Sequence, residues 1–140
     1  MTRPQLDNLV RIGRLKTEPA SHQEIQGLVR SGTRRLVDAA HKDLSLESRF
    51  DLAYNAGHAL ALAALRFQGY RSEARYLVFQ CLQHTIGLPP EQWRVLDEAH
   101  RKRNLAEYEG EMDVDEQLVA ALLRVVQEVA NRVELLVNRP

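Results

Sequence analysis

The sequence predicts an all-α fold, an up-and-down antiparallel bundle of four to five main helices. Glycine and proline signals divide the chain into segments with helical spacing of apolar residues, and no run of alternating β-branched residues stands between turn signals. A chain of 140 residues is about the length of one domain with a single core. We therefore predict one domain over residues 1–140, with a short N-terminal helix and linker at 1–20 and the bundle core at 21–138.

The first two helices are predicted from their end signals. A short helix over about residues 4–16 ends before Pro19, because proline disfavours a helical conformation in the residue that precedes it. The second helix opens with the capping box Ser21 to Glu24, in which the serine hydroxyl accepts a hydrogen bond from a backbone N–H of the first turn. This second helix runs to about residue 42.

Gly69 separates the third and fourth helices. The third, over about residues 46–68, carries small side chains over much of its surface, so neighbouring helices can approach closely and we expect it to lie centrally. These small residues are Ala53, Ala56, Gly57, Ala59, Ala61, Ala63 and Ala64. The fourth helix covers about residues 72–86 and stops at Gly87, since glycine commonly ends a helix.

Pro89 and Pro90 begin the fifth helix, because proline is tolerated in a first turn; this helix covers about residues 90–107. The last helix starts at the acidic cap between Asp113 and Glu116 and continues to about residue 137. Its apolar side chains fill two adjoining rows, a stripe too wide for one neighbouring helix. Burial between two helices of the same bundle and a dimer seam both remain open explanations.

Composition limits the function. Lysine plus arginine and aspartate plus glutamate both number 19, so no overall positive field attracts nucleic acid and any polyanion site must be a local patch. The single cysteine, Cys81, excludes an internal disulfide, and its apolar helical setting predicts a buried, inert thiol. The histidines show no paired spacing, so we predict no metal site and no cofactor.

No targeting or membrane segment is expected. The N-terminal residues have charges interleaved through them and lack an apolar signal core. The longest apolar run, Ala59 to Leu65, is far too short to span a bilayer. We therefore expect a soluble cytoplasmic protein without a membrane partner.

Residues 100–110, HRKRNLAEYEG, collect cations, a histidine, an amide, carboxylates and a tyrosine near a helix end. On a helical wheel Arg103 lies in the apolar sector of the fifth helix, with His100 and Glu107 on one flank and Asn104 slightly further round. A guanidinium that faces a core or an interface needs a partner, because an unpaired buried charge costs several kcal/mol. Arg103 is therefore either paired structurally or placed to bind an anion.

The long helices, the small-residue central helix and the late helix with Arg103-Asn104 followed by an aromatic make residues 21–138 similar to a HEPN domain. The resemblance implies a homodimeric helical bundle and a metal-independent ribonuclease that acts on RNA. It also implies a toxin neutralised by a nucleotidyltransferase-like antitoxin. The family motif is an arginine, commonly followed by a polar residue, and then a histidine about five residues later. Arg103 and Asn104 match its first half, whereas Tyr108 stands at the histidine position.

Metal-independent RNA cleavage needs a base, an acid and a cation for the developing negative charge. Arg103 can supply the cation, with Asn104 beside it. A tyrosine hydroxyl stays protonated at neutral pH, so Tyr108 is a poor base and at best a hydrogen-bond donor or weak acid. His100, one turn before Arg103, is the imidazole that can replace the missing histidine. The alternative is a capping or interface histidine bonded to Glu107 or to a backbone carbonyl.

A second alignment to the motif uses Arg101. Some HEPN toxins have a tyrosine two residues after the motif histidine, and that tyrosine accepts nucleotidyl groups from the antitoxin. In this register Arg101 is the arginine, Ala106 stands at the histidine position and Tyr108 is the tyrosine. Because Arg101 projects about 160° away from Arg103, outside the apolar sector, the Arg103 register is favoured.

Other residues are candidates for contacts with phosphate or RNA. Arg101 and Lys102 either add positive charge around a phosphate or simply complement the dipole of a solvated helix end. Asn55 and His58, three residues apart on the third helix, either line the same cleft or form an interhelical polar pair with Tyr54 or Glu107, which is the favoured interpretation.

Two hypotheses for function follow. In the first, a HEPN-like dimer binds RNA or nucleotide phosphate through Arg103 and its neighbours, as a ribonuclease toxin or as a catalytically weakened relative. In the second, the chain is a non-enzymatic helical adaptor whose polar cluster holds a dimer or another partner.

Overall fold

The structure is a computed structural model that describes residues 3–110 and 112–138. Helices hold 74% of this part of the chain, which confirms the predicted all-α bundle. The helices are α1 (Pro4–Arg11), α2 (His22–Ala39), α3 (Leu46–Phe67), α4 (Arg75–Gln80), α5 (Leu82–Thr85), α6 (Pro90–Glu109) and α7 (Glu116–Val137). Two short strands accompany them, β1 (Lys16–Thr17) and β2 (Tyr70–Arg71).

The N-terminal segment differs from its prediction. The first helix ends at Arg11, well before residue 16, and Gly13 follows it with a φ of 80° in the left-handed region. Lys16 and Thr17 then pair antiparallel with Arg71 and Tyr70. Strands of two residues are too short to show an alternating pattern, so sequence periodicity could not indicate them.

Most other helix ends follow the predicted signals. The hydroxyl of Ser21 caps α2 by accepting a hydrogen bond from the N–H of Glu24 at 3.0 Å. The cap of α7 lies two residues later than Asp113. The carboxylate of Asp115 accepts a hydrogen bond from the N–H of Leu118 at 2.8 Å.

The fourth predicted helix is shorter and divided in two. Its start moves to Arg75, because the hydroxyl of Ser72 accepts a hydrogen bond from the N–H of Ala74 at 3.1 Å and forms a turn there. The chain then turns at Cys81, between α4 and α5. Its carbonyl accepts hydrogen bonds from both His84 and Thr85 at 2.9 Å, which tightens the turn.

Helix α3 lies centrally, as predicted, and packs against α2, α4, α6 and α7. Two glycines show how close the neighbours come. A Cβ atom added to Gly32 of α2 would lie 2.7 Å from Cγ of Leu60, and one added to Gly57 would lie 3.2 Å from Cγ2 of Val126. Small residues on both surfaces therefore set the spacing of the central helices.

The wide stripe of α7 is buried within the bundle along most of its length. This helix packs against α2, α3 and α6. Its fully buried side chains are Val119, Leu122, Val126, Val129 and Val133. At the margin Leu123 and Ala130 are only partly buried and border a groove that α2 lines with Val29 and the exposed Val37. None of the described helices is long and apolar enough to cross a membrane.

Arg66, which lies on α3, joins the N-terminal segment to the bundle. Its side chain is 4% exposed and forms ion pairs with Glu24 at 2.7 Å and Glu18 at 3.2 Å. It also donates hydrogen bonds to the carbonyls of Glu18, Pro19 and Tyr70, at 2.9, 3.1 and 3.2 Å. Carboxylates and carbonyls therefore surround this buried guanidinium, as a buried cation requires.

Candidate anion-binding site

The candidate site forms where α3, α4 and α6 meet, around the fully buried ring of Tyr54. Two guanidinium groups lie over this ring, with Cζ of Arg75 at 5.6 Å and Cζ of Arg103 at 5.1 Å from its centroid. A cation over an aromatic face is attracted by the negative face of the ring. We call Tyr54, His58, Arg75, His100 and Arg103 the arginine–histidine cluster.

Tyr54 also begins a chain of hydrogen bonds. Its hydroxyl lies 2.9 Å from Nδ1 of His100, and the amide nitrogen Nδ2 of Asn104 lies 3.1 Å from Nε2. If Nδ1 carried the proton, the buried hydroxyl of Tyr54 would have to accept, and its own proton would need another partner. Donation from Tyr54 to Nδ1 is therefore the better arrangement, with the proton of His100 on Nε2 and the amide of Asn104 rotated by 180° so that its oxygen accepts.

His100 is held in its neutral form. Desolvation by burial is the main cause that lowers its pKa; the negative charge of Asp97 opposes this effect, and the positive charges of Arg103 and Arg75 lower the pKa further. Protonation would also set a new N–H against the hydroxyl of Tyr54. At neutral pH His100 is thus an oriented, uncharged imidazole.

His58 is the second neutral imidazole of the cluster. Its ring packs edge-on against Phe79, with centroids 5.9 Å apart. Burial lowers its pKa to about 4, assisted by the positive charges of Arg75 and Arg103 and by His100. The histidines therefore add no positive charge near pH 7, and the positive charge of the cluster resides on its two arginines.

Little negative charge balances these arginines. The side chain of Arg103 is 29% exposed, and its Nη1 lies 3.5 Å from Oε1 of Glu107, which is itself 65% exposed. Arg75 donates to the amide oxygen of Asn55 at 3.1 Å, and Asn55 in turn donates to the carbonyl of Asp51 at 2.8 Å. One arginine thus has a loose, solvated carboxylate partner and the other a neutral amide.

Two predicted pairings have different partners in the structure. Asn55 does form a polar contact between helices, but with Arg75, and neither Tyr54 nor Glu107 is its partner. His58 packs on an aromatic ring instead of joining Asn55.

His100 is bonded to Tyr54 and Asn104, and not to Glu107 or to a backbone carbonyl.

Three of the predicted residues lie apart from the cluster. Arg101 pairs with Asp97 at 3.0 Å and is 73% exposed. Lys102 donates to the carbonyl of Asp113 at 3.0 Å, and Tyr108 is 90% exposed. The structure thus brings together Arg103, His100, Asn104, Glu107, Asn55 and His58, and separates Arg101, Lys102 and Tyr108 from them.

Sequence reasoning missed Arg75 and the aromatic wall. Arg75 begins α4, and nothing in its local pattern distinguishes it from a solvated arginine. The wall consists of Tyr54, Phe79 and the 40% exposed Tyr76, whose ring centroids lie 6.2–6.3 Å from that of His100. The sequence predicted Tyr54 only as a polar partner of Asn55 and His58, and not as the ring beneath the two arginines.

Metal binding and thiol chemistry have little support in the part of the chain that the structure covers. Within residues 3–110 and 112–138, no group of three or more histidine, cysteine or acidic side chains is arranged to hold a metal ion. Cys81 is buried, as predicted, and burial raises the pKa of its thiol to about 11. No protein-family model, curated protein or solved structure matches this chain. Its function must therefore be inferred from the site.

Proposed function

We propose that this chain is a HEPN-like protein that binds RNA or nucleotide phosphate at the arginine–histidine cluster. The observation that carries this proposal is the convergence of Arg75 and Arg103 on Tyr54, with one loose carboxylate, Glu107, as their counter-charge. Two cations with so little compensation favour an anion between them, because guanidinium groups donate well to phosphate oxygens.

The contacts suggest how a phosphate would be held. A phosphodiester that approaches Arg103 would displace the 3.5 Å contact with Glu107, which is exposed enough to be rehydrated at little cost. Arg75 lies on α4 and Arg103 on α6, so guanidinium groups from two helices would donate to the phosphate. Tyr76, partly exposed beside His100, offers an aromatic surface for an adjacent base.

The arrangement favours binding over rapid cleavage. In a cleavage reaction Arg103 would stabilise the developing negative charge, and neutral His100 would be the base. Both nitrogens of His100 already have partners, Tyr54 and Asn104, and the tyrosine at the histidine position of the motif is 90% exposed. We therefore favour a catalytically weakened relative of HEPN ribonucleases. A homodimer, a nucleotidyltransferase-like antitoxin and a cytoplasmic location belong to this proposal.

A non-enzymatic helical adaptor is the second candidate function. The observation that favours it is the groove between α2 and α7, which exposes Val37 to 59% and leaves Leu123 and Ala130 only partly buried. Exposed apolar surface of this kind commonly contacts another protein.

Variants with one arginine changed test the first function. We expect Arg103→Gln and Arg75→Gln each to lower the affinity for a fluorescent single-stranded RNA about tenfold and to reduce its salt dependence by about one phosphate contact. Arg101→Gln is the matched control and should bind like the native chain. Equal RNA affinity of all four proteins would contradict the proposal. Lost self-association without any RNA binding, measured by light scattering, would favour the adaptor.

Cleavage is measured separately on the same RNA. The native chain and the Tyr108→His variant are compared, because the substitution restores the histidine of the family motif. If neither protein cleaves RNA while both bind it, the nuclease part of the proposal is wrong and the binding part stands.

A further inference from the structure

A cleft lies among α1, α5 and α7, apart from the arginine–histidine cluster. Its volume is about 550 Å³, within the range that small-molecule sites occupy. It is lined by both polar and apolar side chains, and none of them belongs to the cluster. A ligand in this cleft would therefore contact none of the residues proposed to bind RNA.

The polar side of the cleft is positive. Arg132 is held in place because its Nε donates to Glu128 and its Nη1 donates to the carbonyls of Ile86 at 3.1 Å and Gly87 at 2.9 Å. These bonds leave Nη2 for a ligand. Arg3 lies on the same lining. With one carboxylate, Glu128, against two guanidinium groups, the lining suits a single negative charge.

The start of α1 adds to this positive potential. The helix has no side-chain cap at Arg3, and Pro4 at its first position has no N–H to offer. Gln5 and Leu6, whose N–H groups belong to the open first turn, both line the cleft.

A buried hydroxyl gives independent support for a ligand. Thr85 lines the cleft and is 8% exposed, and its Oγ1 is buried without a hydrogen-bond partner in the part of the chain that the structure describes. A buried hydroxyl without a partner destabilises a fold, so such groups are rare and usually meet a partner. Less than 1 Å² of this oxygen is accessible, so the side chain would have to turn towards the cleft for a ligand oxygen to become its partner.

The remaining wall is aliphatic. Ile86, Leu136 and Leu135 line it, and Leu135 is 71% exposed. We propose that this cleft binds a small monocarboxylate with an apolar body. The carboxylate contacts Arg3 and Arg132 and accepts a hydrogen bond from Thr85 once that side chain turns towards the cleft, and the apolar body covers Leu135 and its neighbours.

The test uses matched probes and methyl NMR of the full chain. Octanoate and 3-phenylpropanoate are titrated beside the alcohol and the amine of each skeleton. We expect saturable shifts of the Ile86, Leu135 and Leu136 methyl groups with both carboxylates, at least tenfold weaker binding of the alcohols and none of the amines. Absence of saturable shifts with both carboxylates, or equal binding of the alcohols, would overturn the proposal.

Two variants locate the carboxylate. Arg3→Gln should weaken octanoate binding about tenfold, whereas Arg94→Gln on α6, outside the cleft, should leave it unchanged. Thr85→Val should raise the Tm of the free protein, because it removes the unpartnered hydroxyl, and should also weaken octanoate binding. Unchanged octanoate affinity in both Arg3→Gln and Thr85→Val would overturn the proposal, whatever the RNA experiments show.

Discussion

Arg66 and Arg103 are both arginines at the margin of the core, and they are compensated in opposite ways. Arg66 is 4% exposed and is surrounded by two carboxylates and three backbone carbonyls. Arg103 is 29% exposed, lies over the ring of Tyr54 and has one carboxylate at 3.5 Å. The fold thus provides many hydrogen-bond acceptors for Arg66 and few for Arg103, whose N–H groups can still donate to an anion.

The acceptors around an arginine distinguish a guanidinium that stabilises the fold from one that can bind an anion. A buried guanidinium without acceptors would destabilise the fold, so acceptors on every side indicate a structural role. A half-buried guanidinium on an aromatic face, beside a second cation such as Arg75, is held in place without being neutralised. The exposed donors are then available for an anion.

The largest expected effect comes from replacing Arg66, the arginine that hydrogen-bond acceptors surround. Arg66→Met leaves Glu24 and three carbonyls without this donor, and Glu18 with Arg71 alone, so we expect the free energy of unfolding to fall by about 3 kcal/mol. Urea unfolding followed by circular dichroism measures it. Arg71→Gln is the control, because Arg71 pairs with the same Glu18 at 3.0 Å but is 47% exposed, and should cost at most about 0.5 kcal/mol. Equal losses in both variants would contradict the contrast.

His58 gives an intermediate, pH-dependent effect. Its pKa is about 4 in the fold, against 6.5 for an ordinary histidine, so the unfolded chain binds more protons between these values. Its contribution to stability is therefore full above about pH 6.5 and is lost as the pH falls towards 4. After allowance for partial exposure, the loss is about 1–2 kcal/mol.

Urea unfolding of the native chain and His58→Gln, repeated from pH 7 to 4, tests this effect. The variant should lose stability less steeply over that range. A saturating concentration of phosphate should raise the pKa of His58, because an anion offsets the charges of Arg75 and Arg103. Identical slopes in the two proteins would show that His58 does not titrate as described.

The smallest expected effect is that of Tyr54→Phe. The substitution removes the 2.9 Å hydrogen bond to His100 but keeps the ring under both guanidinium groups. We expect a loss of about 1 kcal/mol in stability and RNA affinity within about threefold of native. Imidazole ¹⁵N spectra should show a changed environment at Nδ1 of His100. A tenfold loss of RNA affinity would mean that the hydroxyl, and not the aromatic platform, positions the arginines.

The parts predictable from sequence were those governed by local rules. Periodicity and end signals located the main helices, and small residues indicated the central place of α3. The helical wheel correctly placed Arg103 with His100 and Asn104 because they share one helix. Arg75 was out of reach, and Tyr54 was predicted only as a polar partner of Asn55 and His58, since the contacts of both residues with α6 depend on how three helices pack and not on any neighbouring residue. The role of Arg66 was missed for the same reason, because all its acceptors except the carbonyl of Tyr70 lie 42–48 residues away.

The central position of Tyr54 links occupancy of the site to the integrity of the whole bundle. Its ring and hydroxyl connect α3 to Arg75 on α4 and to His100 and Arg103 on α6, so no single helix carries all the residues of the proposed site. An anion bound there would favour the folded ensemble by mass action, since the unfolded chain has no equivalent binding geometry. Thermal denaturation should therefore report ligand concentration, and the protein would be most resistant to unfolding when its target is abundant.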